Sequence, residues 1–195
     1  VAEPIGLFDC CPVSDGAACA IVTTPEIARS LGRAPAVTVK AIQIVTSNGW
    51  EVQQAEWDGA HVHTARIAAR AAYAEAGISD PARQISLTEV HDCFSITELV
   101  TLEDLGLVEP GTAWREMLDG RFDADGAMPC QIDGGLKCFG HPVVASGLRM
   151  LYEAWLQLTG AAGERQLANP SLALTHNLGG APSQNVCSVT ILGAN

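Results

Sequence analysis

The sequence predicts an α/β fold in which helices cover a sheet. Runs rich in β-branched residues, such as 36–47, alternate along the chain with segments of helical periodicity. Hydrophobic residues make up 48% of the 195 residues and charged residues 17%, a balance typical of a packed globular protein. Strands that alternate with helices indicate a sheet with helices on both faces.

Turn formers and capping residues set the limits of each predicted element. Pro25 and Gly32 bound a short helix, Gly77 stops a long one, and Ser95 with Glu98 has the pattern of a capping box. The predicted elements are, in chain order, a buried strand over 15–24, a helix over 25–32, a strand over 36–47, a helix over 62–77, a strand over 84–90, a helix from 95 to about 105, a short helix over 113–120, a helix after Pro142, and two closing strands over 171–177 and 183–193 around a glycine-rich bend.

Charge and cysteine content argue against several classes of function. The formal net charge of -11 disfavours a nucleic-acid-binding surface, and the sequence has no apolar run long enough to cross a membrane. Seven scattered cysteines without a CxxC pair favour reduced thiols over a disulfide framework or a zinc site. No secretion signal is readable, so we expect a cytoplasmic protein. The short ligand spacings of zinc sites are missing, so we also expect no bound metal. Because Val1 is not Met, we expect the chain to be part of a longer polypeptide.

Three short motifs carry the candidate chemistry: HDCF at 91–94, GHP at 140–142 and HNLGG at 176–180. Each lies where a strand ends or a helix begins, and such positions converge on one crevice in α/β sheets. Pro142 suits the first position of a helix, which predicts His141 at the N-cap, where the helix dipole favours a neutral imidazole that can act as a base. Cys93 precedes the next predicted helix, and the same field predicts a lowered thiol pKa.

Each of these residues also has a purely structural interpretation. His141 could only cap a helix, Cys93 could be a small buried hydrophobe, and His91 could be a hydrogen-bonded histidine at a strand end instead of an oxyanion donor. Two other sites stay open at this point: a metal site built from His91, Cys93, His141 and His176, and a cysteine-protease arrangement of Cys93, His141 and Asn177.

The segments HDCFSITEL, GGLKCFGHPVVASG and HNLGG, in this order, resemble the C-terminal half of thiolases, more narrowly of the sterol-carrier-protein-type and archaeal-like thiolases. DCCPVSDGAACAIV resembles the segment that ends the N-terminal thiolase domain, so the resemblance covers essentially the whole chain. It implies a mixed five-stranded sheet covered by helices. It also implies that residues 1–35 are the last strand and helix of the N-terminal domain, and that 36–195 form the C-terminal domain.

The resemblance implies an enzyme of acyl-CoA chemistry. Thiolases cleave 3-ketoacyl-CoA with free coenzyme A, or run the reverse Claisen condensation, through an acyl-enzyme thioester. His141 would be the base that activates a nucleophilic cysteine, Cys93 the second acid/base, and His91 would stabilise the thioester oxyanion with His141. Coenzyme A would be a substrate, with no permanently bound cofactor. The nucleophile would lie in the N-terminal half, so this chain would be either a fragment or one part of a split enzyme. We expect that half as a partner, in a homodimer.

Other motif positions follow the family pattern or depart from it. Asn177 stands where other thiolases have the second cysteine, the Gly179 N–H resembles an oxyanion-hole donor, and Phe94 would line the pocket near the pantetheine arm. Val144 replaces a usual glycine, which puts the acyl specificity in doubt, and Gln-Ile-Asp at 131–133 replaces a more usual Asn-Pro-Ser.

Two other functions remain open. One is a thiolase-like retro-aldolase that splits a β-hydroxyacyl-CoA without an acyl-enzyme. The other is a catalytically silent thiolase-fold subunit that scaffolds a partner or carries a lipid. The presence of both Cys93 and His141 favours the thiolase.

Overall fold

Helices and strands alternate along the chain in this computed structural model. The structure describes residues 3–33, 36–53, 57, 59–181 and 184–194. Within these ranges the strands are β1 (Val37–Thr46), β2 (Leu87–Glu89), β3 (Leu172–Ala181) and β4 (Gln184–Ala194). The helices are α1 (Pro25–Ser30), α2 (Trp50–Gln53), α3 (His63–Ala76), α4 (Pro81–Gln84), α5 (Ser95–Asp104), α6 (Ala113–Leu118), α7 (Gly135–Phe139) and α8 (Ser146–Thr159), and short 3-10 turns lie at Leu7–Asp9 and Gly163–Arg165.

The strands form one mixed sheet in the order β1-β4-β3-β2. β4 pairs antiparallel with both β1 and β3, and β2 runs parallel to β3. The predicted α/β architecture is confirmed, although the sheet has four strands in the described residues instead of five. Beside β2, where a fifth strand would lie, pairing is reduced to one parallel bridge between Thr88 and Cys130. The pairing stops there because Gln131 takes a left-handed φ of 56°, which an extended strand does not have.

Helices cover both faces of the sheet. The consecutive residues Ala173 and Leu174 of β3 point to opposite faces and belong to two different hydrophobic clusters. The larger cluster lies under α3 and α5, and α3 packs closely on β1 and β4 through buried alanines such as Ala68. The smaller cluster lies under α8, where Ala154 packs with Leu87. Full burial of a leucine side chain contributes about 2 kcal/mol, so both faces stabilise the sheet.

Glycines end the two long helices as the sequence predicts for α3. Gly77 takes a left-handed φ of 70° and donates its N–H to Ala74 O, and Gly160 ends α8 with a φ of 73°. None of the helices in the described ranges has the length and apolarity needed to cross a bilayer.

Three predicted elements differ from the structure. The run 15–24 forms no strand and leaves Ile21 and Val22 exposed, because no described strand pairs with its backbone. The helix after Pro142 begins only at Ser146, and Pro142 instead opens a turn. HNLGG lies inside β3 and not in a bend. The division of the chain into two domains after residue 35 stays a prediction.

Candidate active site

The HDCF segment leaves the carboxyl end of β2, the position that predicts a site in a sheet of this kind. Its Asp92 is buried and contacts the second motif-bearing segment. Oδ1 of Asp92 accepts the backbone N–H of Leu136 at 2.8 Å, and Oδ2 lies 3.9 Å from Lys137 Nζ. Both partners belong to α7, which immediately precedes His141. Asp92 therefore fixes the HDCF segment against the loop that carries His141.

The rings of His91 and His141 meet edge to face. Their centroids are 5.0 Å apart and their planes make an angle of 75°. Burial, with the neighbouring His141 as a second cause, lowers the pKa of His91 to about 4. Burial also lowers the pKa of His141, against the opposing effect of Asp92. Both rings are therefore neutral at pH 7.

Ser146, at the start of α8, determines which nitrogen of His141 carries the proton. Nδ1 of His141 lies 2.8 Å from Ser146 Oγ, and that hydroxyl donates its only hydrogen to Pro142 O at 3.0 Å. Ser146 Oγ must then accept from Nδ1–H, which leaves Nε2 with a free lone pair. The prediction that His141 caps a helix is wrong, because the N-cap position of α8 belongs to Ala145. The ring is nevertheless a neutral base.

The Cys93 thiol is partly buried and has an elevated pKa. Burial is the main cause, and the Asp92 carboxylate acts in the same direction, against the lowering effect of the Thr97 hydroxyl, whose Oγ1 lies 3.8 Å from Sγ. The prediction of a lowered pKa is wrong, because desolvation outweighs the field of α5. A thiol in this setting is a proton donor at neutral pH.

The start of α5 also differs from the predicted capping box. Ser95 is the first helical residue and donates its hydroxyl to Asp9 Oδ1 at 2.6 Å, while Glu98 pairs with Lys137 at 3.3 Å. The segment that contains Asp9 continues along the site, where Cys11 N–H donates to Cys93 O at 2.9 Å.

The third motif contributes from β3. His176 is fully buried, and both its ring nitrogens are without a hydrogen-bond partner in the described residues; burial, followed by the nearby His91, lowers its pKa to about 3. Asn177 approaches the first turn of α8, since a Cβ built on Gly147 would lie 3.2 Å from Asn177 Nδ2. Gly179 is exposed within β3 opposite Val186.

The structure thus brings some predicted residues together and not others. His91 and His141 are in contact, and Asn177 reaches the same turn of α8 that contains Ser146. The described contacts of Cys93 and Gly179 run to other residues. Five exposed apolar residues adjoin the two histidines, and we call them the apolar rim. Four lie within three residues of His91 or His141 in the sequence, and the fifth forms a bridge to His141: Phe94, Phe139, Val143, Val144 and Val13.

Sequence reasoning missed two residues that shape this site. Asp92 lies inside the HDCF motif, and Ser146 lies in GGLKCFGHPVVASG. The available signal for each was its polar side chain, acidic in Asp92 and small in Ser146, near a candidate acid/base residue. Neither spacing nor composition shows that Asp92 is buried or that Ser146 faces the imidazole.

A buried ionic cluster lies behind the site, on the α8 face of β2. Glu89 is fully buried, with Oε2 3.4 Å from Arg149 Nη2, and Arg149 also pairs with Asp133. Burial raises the pKa of Glu89 to about 8, although Arg149 opposes that shift. The Arg149 guanidinium lies 5.2 Å from the ring centroid of Phe139. The cluster connects β2 and α8 with the 131–139 segment.

A surface groove of about 630 Å³ lies elsewhere, between α3 and the chain that follows α5. Its lining residues come from 66–82 and 103–121 and include neither His91 nor His141, so it is separate from the histidines. Across the part of the chain that the structure describes, no three His, Cys, Asp or Glu side chains are arranged to hold a metal ion.

Comparison with known families decides where this arrangement belongs. The model of the family "Thiolase C-terminal domain-like" matches residues 45–194. The chain belongs to this thiolase C-terminal domain-like family. An acetyl-CoA acetyltransferase of Methanothermobacter thermautotrophicus is 40% identical over 180 residues, which cover 92% of this chain and 46% of that protein. Sterol carrier protein 2 of Rattus norvegicus is 37% identical over 177 residues, 89% of this chain and 32% of the relative.

A solved structure supports the thiolase fold. The Ltp2-ChsH2(DUF35) aldolase matches all of this chain and 48% of its own chain with a TM-score of 0.76, at 23% identity, which establishes the fold alone. The thiolase C-terminal domain described here thus spans about a third to a half of the length of these relatives.

Proposed function

We propose that this thiolase C-terminal domain supplies the acid/base half of an active site that acts on acyl-CoA thioesters. The observation that carries the proposal is the contact between two neutral histidines, His91 and His141, with the protonated Cys93 thiol two residues after His91 in the same segment. Two relatives that cover most of this chain are named acetyl-CoA acetyltransferases, which favours acyl transfer to or from coenzyme A.

His141 acts as the base that deprotonates the nucleophilic cysteine. Its Nε2 has the free lone pair, because Nδ1–H is donated to Ser146. Nε2 takes the proton of a nucleophilic cysteine, whose sulfur attacks the keto carbonyl of a 3-ketoacyl-CoA. The carbon–carbon bond then breaks, and the acyl group remains on the nucleophile as a thioester.

Cys93 moves the proton in each half of the cycle. Because its pKa is raised, Cys93 holds a proton that it donates to the acetyl-CoA carbanion when the carbon–carbon bond breaks. The resulting thiolate takes the proton of the incoming coenzyme A thiol, which attacks the thioester and releases the shortened acyl-CoA. The Cys93 thiol is thereby regenerated. The nucleophile leaves the thioester as a thiolate and regains its proton from His141, so protons balance over the cycle. His91 donates a hydrogen bond to the thioester oxyanion, and its low pKa keeps it a neutral donor.

A second thiolase half supplies the nucleophilic cysteine. The chain covers 46% of the acetyl-CoA acetyltransferase relative, and the apolar rim around the histidines, including Phe94 and Val144, provides a surface for that half and for the pantetheine arm. We also propose a homodimer in the cytoplasm; a full-length protein that scatters light strictly as a monomer would contradict the dimer.

Thiolysis by the full-length polypeptide tests this function. It is incubated with a 3-ketoacyl-CoA or, separately, with a β-hydroxyacyl-CoA, each with and without coenzyme A, and the acyl-CoA products are separated by chromatography. Two shorter acyl-CoA products that need coenzyme A, and that His141→Ala abolishes, support the thiolase. Cleavage of a β-hydroxyacyl-CoA without coenzyme A would show a retro-aldolase instead, and no turnover of either substrate would leave a non-catalytic subunit.

A further inference from the structure

Gln131 has an unusual backbone for its residue type. Its φ is 56°, in the left-handed region, and Asn169 at 50° is the other described residue besides glycine with a positive φ. Asparagine tolerates this region because its short side chain bonds locally, whereas a longer side chain there is strained by about 1 kcal/mol. Such strain persists where surrounding contacts compensate for it.

The Gln131 side chain makes the compensating contacts with a single residue. Its Nε2 donates to Val90 O at 2.7 Å, and Val90 N–H donates to its Oε1 at 3.3 Å. The backbone N–H of Gln131 donates to Thr88 O at 3.0 Å, continuing the bridge between Cys130 and Thr88. The side-chain amide therefore acts as one more rung of strand pairing, at the residue where the backbone itself turns away from β2.

This rung lies directly before the candidate catalytic residues. Val90 is the last residue before His91, so both backbone groups of that position are held by one side chain. The Gln131 side chain is tightly packed against Gly135. A Cβ on Gly135 would lie 2.9 Å from Gln131 Nε2 and would also collide with Asp92 Oδ2. The Gln131 amide and the Asp92 carboxylate thus both pack directly against Gly135.

We propose that Gln131 is a positioning residue that holds the backbone at Val90 and thereby aims His91 and Cys93 at the reacting atoms. This inference rests on the proposed thiolase function for its catalytic consequence, but its structural part does not. Misplacement of a catalytic group by about 1 Å can reduce a rate a hundredfold, so loss of one rung that fixes the segment reduces turnover by about tenfold.

The test variant is Gln131→Gly in the full-length polypeptide, because glycine accepts the left-handed backbone and removes only the side-chain rung. Asn169→Gly is the matched control, since it relieves the same kind of backbone at an exposed position. Gln131→Glu is a second variant of nearly the same shape, which keeps an acceptor for Val90 N–H and loses the donor to Val90 O. Should the glycine variant fold poorly, the kcat of this second variant carries the test and should also fall, because a carboxylate repels Val90 O where the amide donated to it.

Two readouts separate positioning from simple stability. Hydrogen exchange at the Val90 amide should accelerate at least about tenfold in Gln131→Gly, while the Thr88 amide, which donates to Pro129 O, should be unchanged. In thiolysis, kcat should fall about tenfold with KM for the acyl-CoA within about twofold, whereas Asn169→Gly should keep both at wild-type values.

Each result decides the inference. Unchanged Val90 exchange in Gln131→Gly overturns it, as does accelerated exchange with wild-type kcat, a raised KM at unchanged kcat, or wild-type kcat in Gln131→Glu. If the wild-type protein turns over no acyl-CoA, the proposed function fails, while Val90 exchange still shows whether Gln131 holds the segment.

Discussion

Replacement of His176 by leucine should make the protein more resistant to acid. Burial lowers the pKa of His176 to about 3, and its ring nitrogens are without hydrogen-bond partners within the described residues. In the unfolded chain the ring regains the ordinary pKa of about 6.5, so below that pH the unfolded state binds more protons than the folded state. His176 therefore reduces stability progressively as the pH falls from 6.5 toward 3.

The size of the effect follows from the shift in pKa. A histidine kept neutral by the fold reduces the free energy of unfolding by about 1.4 kcal/mol for each pH unit below 6.5, so about 2 kcal/mol is lost at pH 5. His176→Leu removes this contribution and suits the site, because Leu174 and Leu178 lie on the same face of β3 and pack in the same cluster. Other groups titrate in both proteins, so the informative quantity is the difference in the free energy of unfolding between wild type and His176→Leu.

Urea unfolding of the full-length protein near pH 7.5 and near pH 5 measures that difference. The free energy of unfolding of His176→Leu, relative to that of wild type, should increase by about 2 kcal/mol between pH 7.5 and pH 5. Ring NMR signals provide a direct check, because the His176 imidazole should stay neutral throughout this range. Equal losses of stability in the two proteins, or a His176 ring that titrates near 6.5, would refute the reasoning.

Two further variants test the site and the cluster behind it. His141→Ala should slow acyl transfer to the nucleophile by about a hundredfold to ten-thousandfold in rapid-quench assays, because the base is lost, and an unchanged rate would remove His141 from the chemistry. The stability of Glu89→Gln relative to wild type should increase as the pH rises. Burial raises the pKa of Glu89 to about 8, so the unfolded carboxyl ionises above 4.5 while the folded one stays protonated, and wild-type stability falls as the pH rises from 4.5 to 8. Thermal melts near pH 5 and pH 8 should show the variant gaining on wild type at the higher pH, and parallel curves would show that Glu89 titrates normally.

Local sequence signals predicted the elements whose structure depends on local chemistry. The β-branched run at 36–47 forms β1 along the edge of the sheet, and Gly77 ends α3 in the left-handed conformation that only glycine adopts freely. HDCF also lies between the end of β2 and the start of α5, as predicted. These features need no knowledge of distant partners.

Features that depend on tertiary partners were not predictable in the same way. The apolar run 15–24 has the composition of a strand, but a strand forms only when a neighbour pairs with its backbone. The Cys93 pKa rises because desolvation exceeds the helix field, and burial cannot be read from HDCF itself. The neutral base at His141 was predicted for the wrong reason, since Ser146 and burial, not a helix N-cap, set its state.

Trapping of an acyl-enzyme in Cys93→Ala tests most directly whether this domain supplies the acid/base of a thiolase. The full-length variant is mixed with radiolabelled acetyl-CoA, quenched with acid, and the label on the protein is counted beside release of condensed or thiolysed product. Cys93→Ala should still accumulate one labelled thioester per nucleophile, because His141 activates the nucleophile and coenzyme A can leave as a thiolate that water protonates. Product formation should fall by about a hundredfold to ten-thousandfold, because proton transfer at the acetyl-CoA carbon needs Cys93. Wild-type product formation in Cys93→Ala, or no labelled thioester in either protein, would contradict that role.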